Sequence, residues 1–218
     1  HILIINRGVH EPLEEFCFQE MLRVMPEAPV MIELGAYWAH YSMWMMKARP
    51  RATTIMVEPE KDNLEGGRAN FAHNGYTGEF IEAFVGKDQW LPGQFMANRG
   101  LAHLDVLHVD IQGYEVELLE GSADLLARRA IDYLFVSTHS QGIHRHVAEL
   151  LSTHGYRIEA SSDFVETTSF DGLIFASSPD AKPIFRDLRP FSRPDIARRS
   201  GDDILRELGA VRAAIVGR

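Results

Sequence analysis

The chain holds one cysteine among its 218 residues, Cys17, so no intrachain disulfide can form and stability must come from a packed core. A lone thiol suits a reducing compartment, and the cytoplasm is the expected location. Cys17 itself falls on the apolar face of a helix and reads as a small buried hydrophobe. Long hydrophobic runs are missing as well. Nothing approaches the ~18 residues of a membrane span, and no signal-peptide pattern opens the chain. The sequence starts at His1 rather than Met, which fits a domain of something larger. Surplus positive charge is also lacking. The formal net charge is −9, and basic residues gather only after Arg186, at Arg189, Arg193, Arg198, Arg199 and Arg206. That balance argues against nucleic acid as a partner.

What is present is alternation. Apolar spacing over residues 11–25 predicts a helix, closed by Pro26 and Pro29. Val30–Leu34 reads as a strand, Trp38–Ala48 as a helix, Thr53–Val57 as a strand and Lys61–His73 as a helix ending at Asn74-Gly75. Glu79–Val85 alternates as a third strand. Residues 86–103 are poorly patterned, broken by Pro92-Gly93 and Arg99-Gly100. Leu104–Val109 is a fourth strand. A helix over Tyr114–Arg128 is interrupted at Gly121-Ser122, and Ile131–Ser137 is the fifth strand. A helix over His144–His154 comes next, then strands Tyr156–Ala160 and Gly172–Ala176. Strands alternating with helices imply a parallel sheet covered on both faces, and the closing strand pair implies an antiparallel insertion at one edge. Residues 178–199 read as an extended tail. Ser200–Gly217 reads as a capped amphipathic helix with Ile204, Leu208, Val211 and Ile215 on one stripe. It either docks on its own domain or makes a contact with a second copy or a further region.

Three strand ends carry an acid followed by a turn residue. In Glu33-Leu-Gly-Ala-Tyr-Trp-Ala39, Gly35 lets the backbone pass close to a ligand, and the next helix offers free N–H groups. A dinucleotide turn would need three glycines, and only Gly35 is present, so a pyrophosphate would be crowded. A ligand with an amino-acid moiety fits better. Glu58 ends the second strand, where a carboxylate can accept bonds from both ribose hydroxyls. The plainer reading is an acid favoured at a helix N-terminus, since Pro59-Glu60 opens the next helix. Asp110 ends the fourth strand and runs into a glycine turn.

Glu33-Leu-Gly-Ala36, Val57-Glu-Pro-Glu60 and Val109-Asp-Ile-Gln-Gly-Tyr-Glu115, in this order and spacing, resemble the S-adenosylmethionine-dependent methyltransferases of the FkbM type. The resemblance covers residues 28–178. It implies an α/β, Rossmann-like seven-stranded, mostly parallel sheet with helices on both faces and an antiparallel last strand. It also implies methyl transfer to an oxygen from S-adenosylmethionine, giving S-adenosylhomocysteine. Glu33, Gly35, Ala36 and Tyr37 would hold the methionine part, Glu58 with Pro59 the ribose, Val85-Gly86 after Phe84 the adenine, and Asp110 and Gln112 the reacting end. Ala39 departs from the family, where glycine is usual.

Methyl transfer from a sulfonium needs alignment and a base for the acceptor hydroxyl. His139, at the end of the fifth strand beside Asp110, is the expected catalytic base with Asp110 as its partner; His40 is the second candidate. A metal could draw on Asp110, His139 and Gln141 or His144, but a histidine in place of paired acids suits a hard cation poorly, and no metal is expected. The loop Glu166–Asp171 between the closing strands is rich in hydroxyls and acids and reads either as a rim of the acceptor pocket or as a solvated hairpin. Residues 1–27 form a helical lead-in, 28–178 the catalytic domain and 179–218 a tail with its helix. The reading is an O-methyltransferase acting on a hydroxyl of a sugar, glycan or related small metabolite, with a homodimer or multidomain setting left open. The rivals are a nicotinamide-dependent oxidoreductase and a non-catalytic ligand-binding or assembly domain of a larger protein.

Overall fold

Strand β1 (Val30–Leu34) is buried over its last four residues, which is expected of a central strand in a sheet covered on both faces. In the computed structural model, which describes residues 8–186 and 188–216 with side chains through Gly209, six further strands join it. They are β2 (Thr53–Glu58), β3 (Glu79–Glu82), β4 (Leu104–Val109), β5 (Ile131–Thr138), β6 (Arg157–Ser162) and β7 (Gly172–Ser177). Their order is β3-β2-β1-β4-β5-β7-β6. The first five run parallel, while β7 lies antiparallel to both β5 and β6. This is the expected mostly parallel seven-stranded sheet, with the last strand inserted between β5 and the edge.

Side-chain alternation sends β1, β4, β5 and β7 residues to two different cores. Ile32, Leu34, Leu107, Val109, Leu134, Val136 and Ile174 pack on one face. There they meet helices α4 (Pro92–Arg99), α5 (Glu115–Gly121), α6 (Ala123–Ala127) and α7 (Gln141–Thr153). Met31, Val106, Tyr133, Phe135, Leu173 and Phe175 pack on the other, against α1 (Pro12–Leu22) and α2 (His40–Ala48). Helix α3 (Lys61–Asn74) completes that face through Phe71, packed with Met46 and Met56. Cys17 is fully buried in this second core, as a small hydrophobe would be.

Helix α4 falls in the stretch read as unpatterned. Pro92 opens it and Gly100, at φ 65°, closes it. The two dipeptides read as breaks are its start and stop signals, proline tolerated in the first turn and glycine past the last. Helix α7 begins three residues before the expected His144, because the Ser140 hydroxyl accepts the Ile143 N–H at 3.1 Å and caps the end. Helix α2 starts at His40 rather than Trp38, since Tyr37 and Ala39 are left-handed. A short helix α8 (Arg193–Arg198) interrupts the expected extended tail. Helix α9 (Gly201–Val216) starts where Ser200 accepts the Asp203 N–H. Its Val211 and Ile215 side chains, and Gly217, lie outside the described residues. No described helix is long and apolar enough to cross a membrane.

Candidate active site

The order β2-β1-β4 brings three strand ends side by side where the winding of the sheet reverses. The N–H groups of Gly35 and Ala36 donate to the Val57 carbonyl at 2.9 and 3.1 Å, and the Asp110 N–H donates to the Leu34 carbonyl at 3.0 Å. Gly35 has φ +70°, and a Cβ there would lie 1.7 Å from the Asp110 carbonyl oxygen. The glycine was expected to make room for a ligand; the chain's own β4 end already demands it. Tyr37 and Ala39 have φ values of 47° and 63°. Ala39 therefore carries a methyl group where the backbone favours glycine.

Glu58, at 6% exposure, accepts the Tyr37 N–H at 3.0 Å on one oxygen. Its other oxygen accepts the Glu60 N–H at 3.1 Å and the Asn63 amide at 3.3 Å. The carboxylate is thus fixed by three donors. Glu33 accepts the Tyr41 and Ser42 N–H groups at 3.2 and 2.9 Å, satisfying the first turn of α2. Burial pushes its carboxyl up from the usual carboxylate range.

Asp110 pairs with the residue just past β5. His139 Nε2 lies 3.2 Å from Asp110 Oδ1 and 3.7 Å from Asp171 Oδ1, while Nδ1 lies 2.7 Å from Glu115 Oε1. Burial alone would lower the imidazole pKa, but the Asp110 and Glu115 carboxylates outweigh it and raise it to about 10. Burial likewise tends to raise Asp110, and His139 holds it below the ordinary value. With its pKa raised by the Asp110 and Glu115 carboxylates, His139 is protonated at neutral pH, so the neutral-pH base expected there is not what this geometry presents. Gln112 donates to Asp110 Oδ1 at 3.1 Å.

One cleft of about 660 Å³ is lined by Glu33, Gly35, Ala36, Tyr37, Glu58, Pro59, Val85, Asp110 and Gln112, and also by His40. Gly86 is not among its lining residues; that glycine sits against Glu117, whose Oε1 a Cβ would approach to 3.1 Å. Phe84 takes its place at the rim, meeting Tyr114 edge-on at 4.8 Å. His139 lies behind Asp110, outside the lining. The other residues weighed as metal ligands are engaged elsewhere: His144 between the Thr138 and Ser161 hydroxyls, and Gln141 with Asp163 and the Phe164 N–H.

Three lining residues, Glu11, Glu14 and His108, escaped the sequence reading. Asp171 also faces the cleft; it closes the Glu166–Asp171 loop, which the sequence offers either as a rim of the acceptor pocket or as a solvated hairpin. Glu14 Oε1 lies 2.7 Å from His108 Nε2, and Oε2 accepts the Ser137 hydroxyl at 3.2 Å. Glu14 was a legible anomaly, a carboxylate on the same stripe as Cys17, Phe18 and Met21. His108 was another, a polar residue in the fully buried second half of its strand. Glu11, Glu14, Glu33, Glu58, Glu60, Asp110 and Asp171 put seven carboxylates on the cleft wall, and no described lysine or arginine joins them.

Residues 88–158 match the methyltransferase FkbM domain. The FkbM match spans a third of the chain and contains the Leu104–Glu115 segment and His139, but neither Gly35 nor Glu58. Among solved structures, TrmK of M. capricolum in complex with S-adenosylhomocysteine has a TM-score of 0.56 at 12% identity, over 80% of this chain and 71% of that one. Precorrin-6y C5,15-methyltransferase from Geobacter metallireducens GS-15 has 0.57 at 16%, over 77% and 89%. A protein in the NADB-Rossmann superfamily from Streptococcus agalactiae has 0.55 at 12%, over 93% and 86%. Identities this low speak for the fold alone. No curated protein matches the sequence. The FkbM match and the shared fold together support an S-adenosylmethionine-dependent methyltransferase.

Proposed function

We propose that the chain transfers the methyl group of S-adenosylmethionine to a hydroxyl of a sugar, glycan or related small metabolite. One observation carries the reading: a cleft at the reversal point of the sheet walled by seven carboxylates and no described lysine or arginine. S-adenosylmethionine bears a sulfonium and an ammonium and no phosphate, so this wall attracts it. The same wall repels the pyrophosphate of a nicotinamide dinucleotide. When bound, the cofactor supplies an electrophilic methyl group.

The chain's own residues do the rest. Glu58, fixed by its three donors, is placed to accept the ribose hydroxyls, with Pro59 beside it. Gly35, Ala36 and Tyr37 form the turn against the methionine part, and Glu33 braces that turn by capping α2. Phe84 and Val85 flank the adenine. Asp110, with Gln112, faces the ammonium and sulfonium end. His139 acts as a positioning residue that pins Asp110 and Glu115 together. A hydroxyl-bearing acceptor suits the acids of the cleft, since carboxylates accept hydroxyl hydrogen bonds. A nucleic-acid phosphate would meet the same repulsion as a pyrophosphate.

Thermal unfolding with each ligand tests this. S-adenosylmethionine and S-adenosylhomocysteine should raise the midpoint by several degrees at saturating concentration, and NADH should leave it unchanged. Radiolabelled methyl transfer should then favour a glycan panel over transfer RNA. An NADH shift without a nucleoside-sulfonium shift would replace the reading with the oxidoreductase one.

A further inference from the structure

A second chamber, of about 440 Å³, adjoins the cofactor cleft and shares three residues with it: Glu11, Glu14 and Asp171. Its remaining walls differ sharply from the first. Leu13 and Phe16 of α1, Leu173 of β7, and Leu188, Phe191 and Leu208 from the C-terminal segment give it an apolar lining, while Thr167, Ser169 and Ser162 add hydroxyls. The two chambers therefore border each other at three carboxylates. Glu14 is 3% exposed and already occupied by His108 and Ser137, which leaves Glu11 and Asp171 as the carboxylates at that border.

On the methyltransferase reading above, we propose that this second chamber holds the methyl acceptor, a hydroxyl carried on an apolar body, and that Glu11 is the base that takes the hydroxyl proton. Three observations converge. The chamber borders the cleft along these three carboxylates, so a molecule lodged there with its polar end toward them points at the methyl donor. Its volume suits a small molecule and its lining suits an alkyl or ring system with one hydroxylated end. The histidine at the strand ends is locked among acids and lies outside the cleft lining, whereas Glu11 lines both chambers. Burial raises the Glu11 carboxyl to about 7, with Ser169 acting to lower it and Glu14, Asp171 and Asp110 adding to the rise. Arg189 and Glu207 are the other charged groups of the chamber. In the step itself the acceptor O–H bond breaks and its proton goes to a Glu11 carboxylate oxygen. The acceptor oxygen forms the new O–CH3 bond, and the S–CH3 bond breaks with its electron pair left on sulfur.

Octyl β-D-glucoside, below its micelle concentration, is the probe, with methyl β-D-glucoside as the same sugar lacking an apolar body. With S-adenosylhomocysteine bound, calorimetry should show octyl glucoside binding at least tenfold tighter than methyl glucoside. Leu208→Glu, at an exposed wall position, should weaken octyl glucoside at least tenfold without changing S-adenosylhomocysteine affinity. With S-adenosylmethionine, octyl glucoside should be methylated. Glu11→Gln should lower kcat about 100-fold or more, with KM and cofactor affinity held, and Glu11→Asp should recover part of it. The parent's kcat should rise with pH through about 7, and the Gln variant should lose that rise. Equal binding of the two glucosides, insensitivity to Leu208→Glu, absence of methylation, or a Glu11→Gln turnover within a few-fold of the parent overturns the proposal. Failure of S-adenosylhomocysteine to bind instead removes the methyltransferase reading on which it rests.

Discussion

Glu58 gathers three donors from three residues, so its position is set before any ligand arrives. Replacing it with Ala removes a charge-assisted acceptor worth ~1.5–3 kcal/mol, and S-adenosylhomocysteine affinity should fall about 10- to 100-fold by calorimetry. Ala39 is the converse, a residue at odds with its backbone. Ala39→Gly should stabilise the fold by ~1 kcal/mol in chemical denaturation, because the left-handed cost for an alanine is of that order. The φ of 63° at Ala39 matches the glycine usual at that place in the family it resembles, so this oddity was legible in the sequence. Gly35, Glu58 and Asp110 were legible because each ends an apolar run at a turn. The protonation of His139 was not, because its partner Glu115 sits in a different element and only the fold brings Nδ1 within 2.7 Å of it.

At the scale of elements, strand β4 and helix α1 are tied by the buried Glu14–His108 pair. Burial opposes the His108 charge, yet Glu14 outweighs it and raises its pKa. Glu14→Ala would strand that charge, and urea denaturation should report a loss of ~3–5 kcal/mol. The loops after β4 and β5 and helix α5 are tied in the same way through His139. Its folded pKa of about 10 lies above the ordinary value of 6.5, so its contribution is whole below pH 6.5 and is lost as pH rises through 10. Thermal stability should decline over that window, and His139→Gln should flatten the decline. Strands and most helices were readable from alternation and spacing. Helix α4 was not, because Pro92 and Gly100 are boundary residues that look like breakers until the eight residues from Pro92 to Arg99 are seen to form a helix.

For the whole molecule, the sheet order and the net charge of −9 act together. The first gathers three acid-bearing strand ends at one place, and the second leaves no described lysine or arginine on the cleft wall to neutralise them. The layered fold could be read from the alternation of elements; of the second chamber only the Glu166–Asp171 rim could, since the rest needs α1, that loop and the C-terminal segment to meet. Isothermal titration of the protein with S-adenosylhomocysteine and, separately, NADH weighs the central claim most directly. The account predicts one site per chain for the first, weakened by Glu58→Ala, and no heat from the second. Saturable NADH binding with no response to S-adenosylhomocysteine at high micromolar concentration would contradict it.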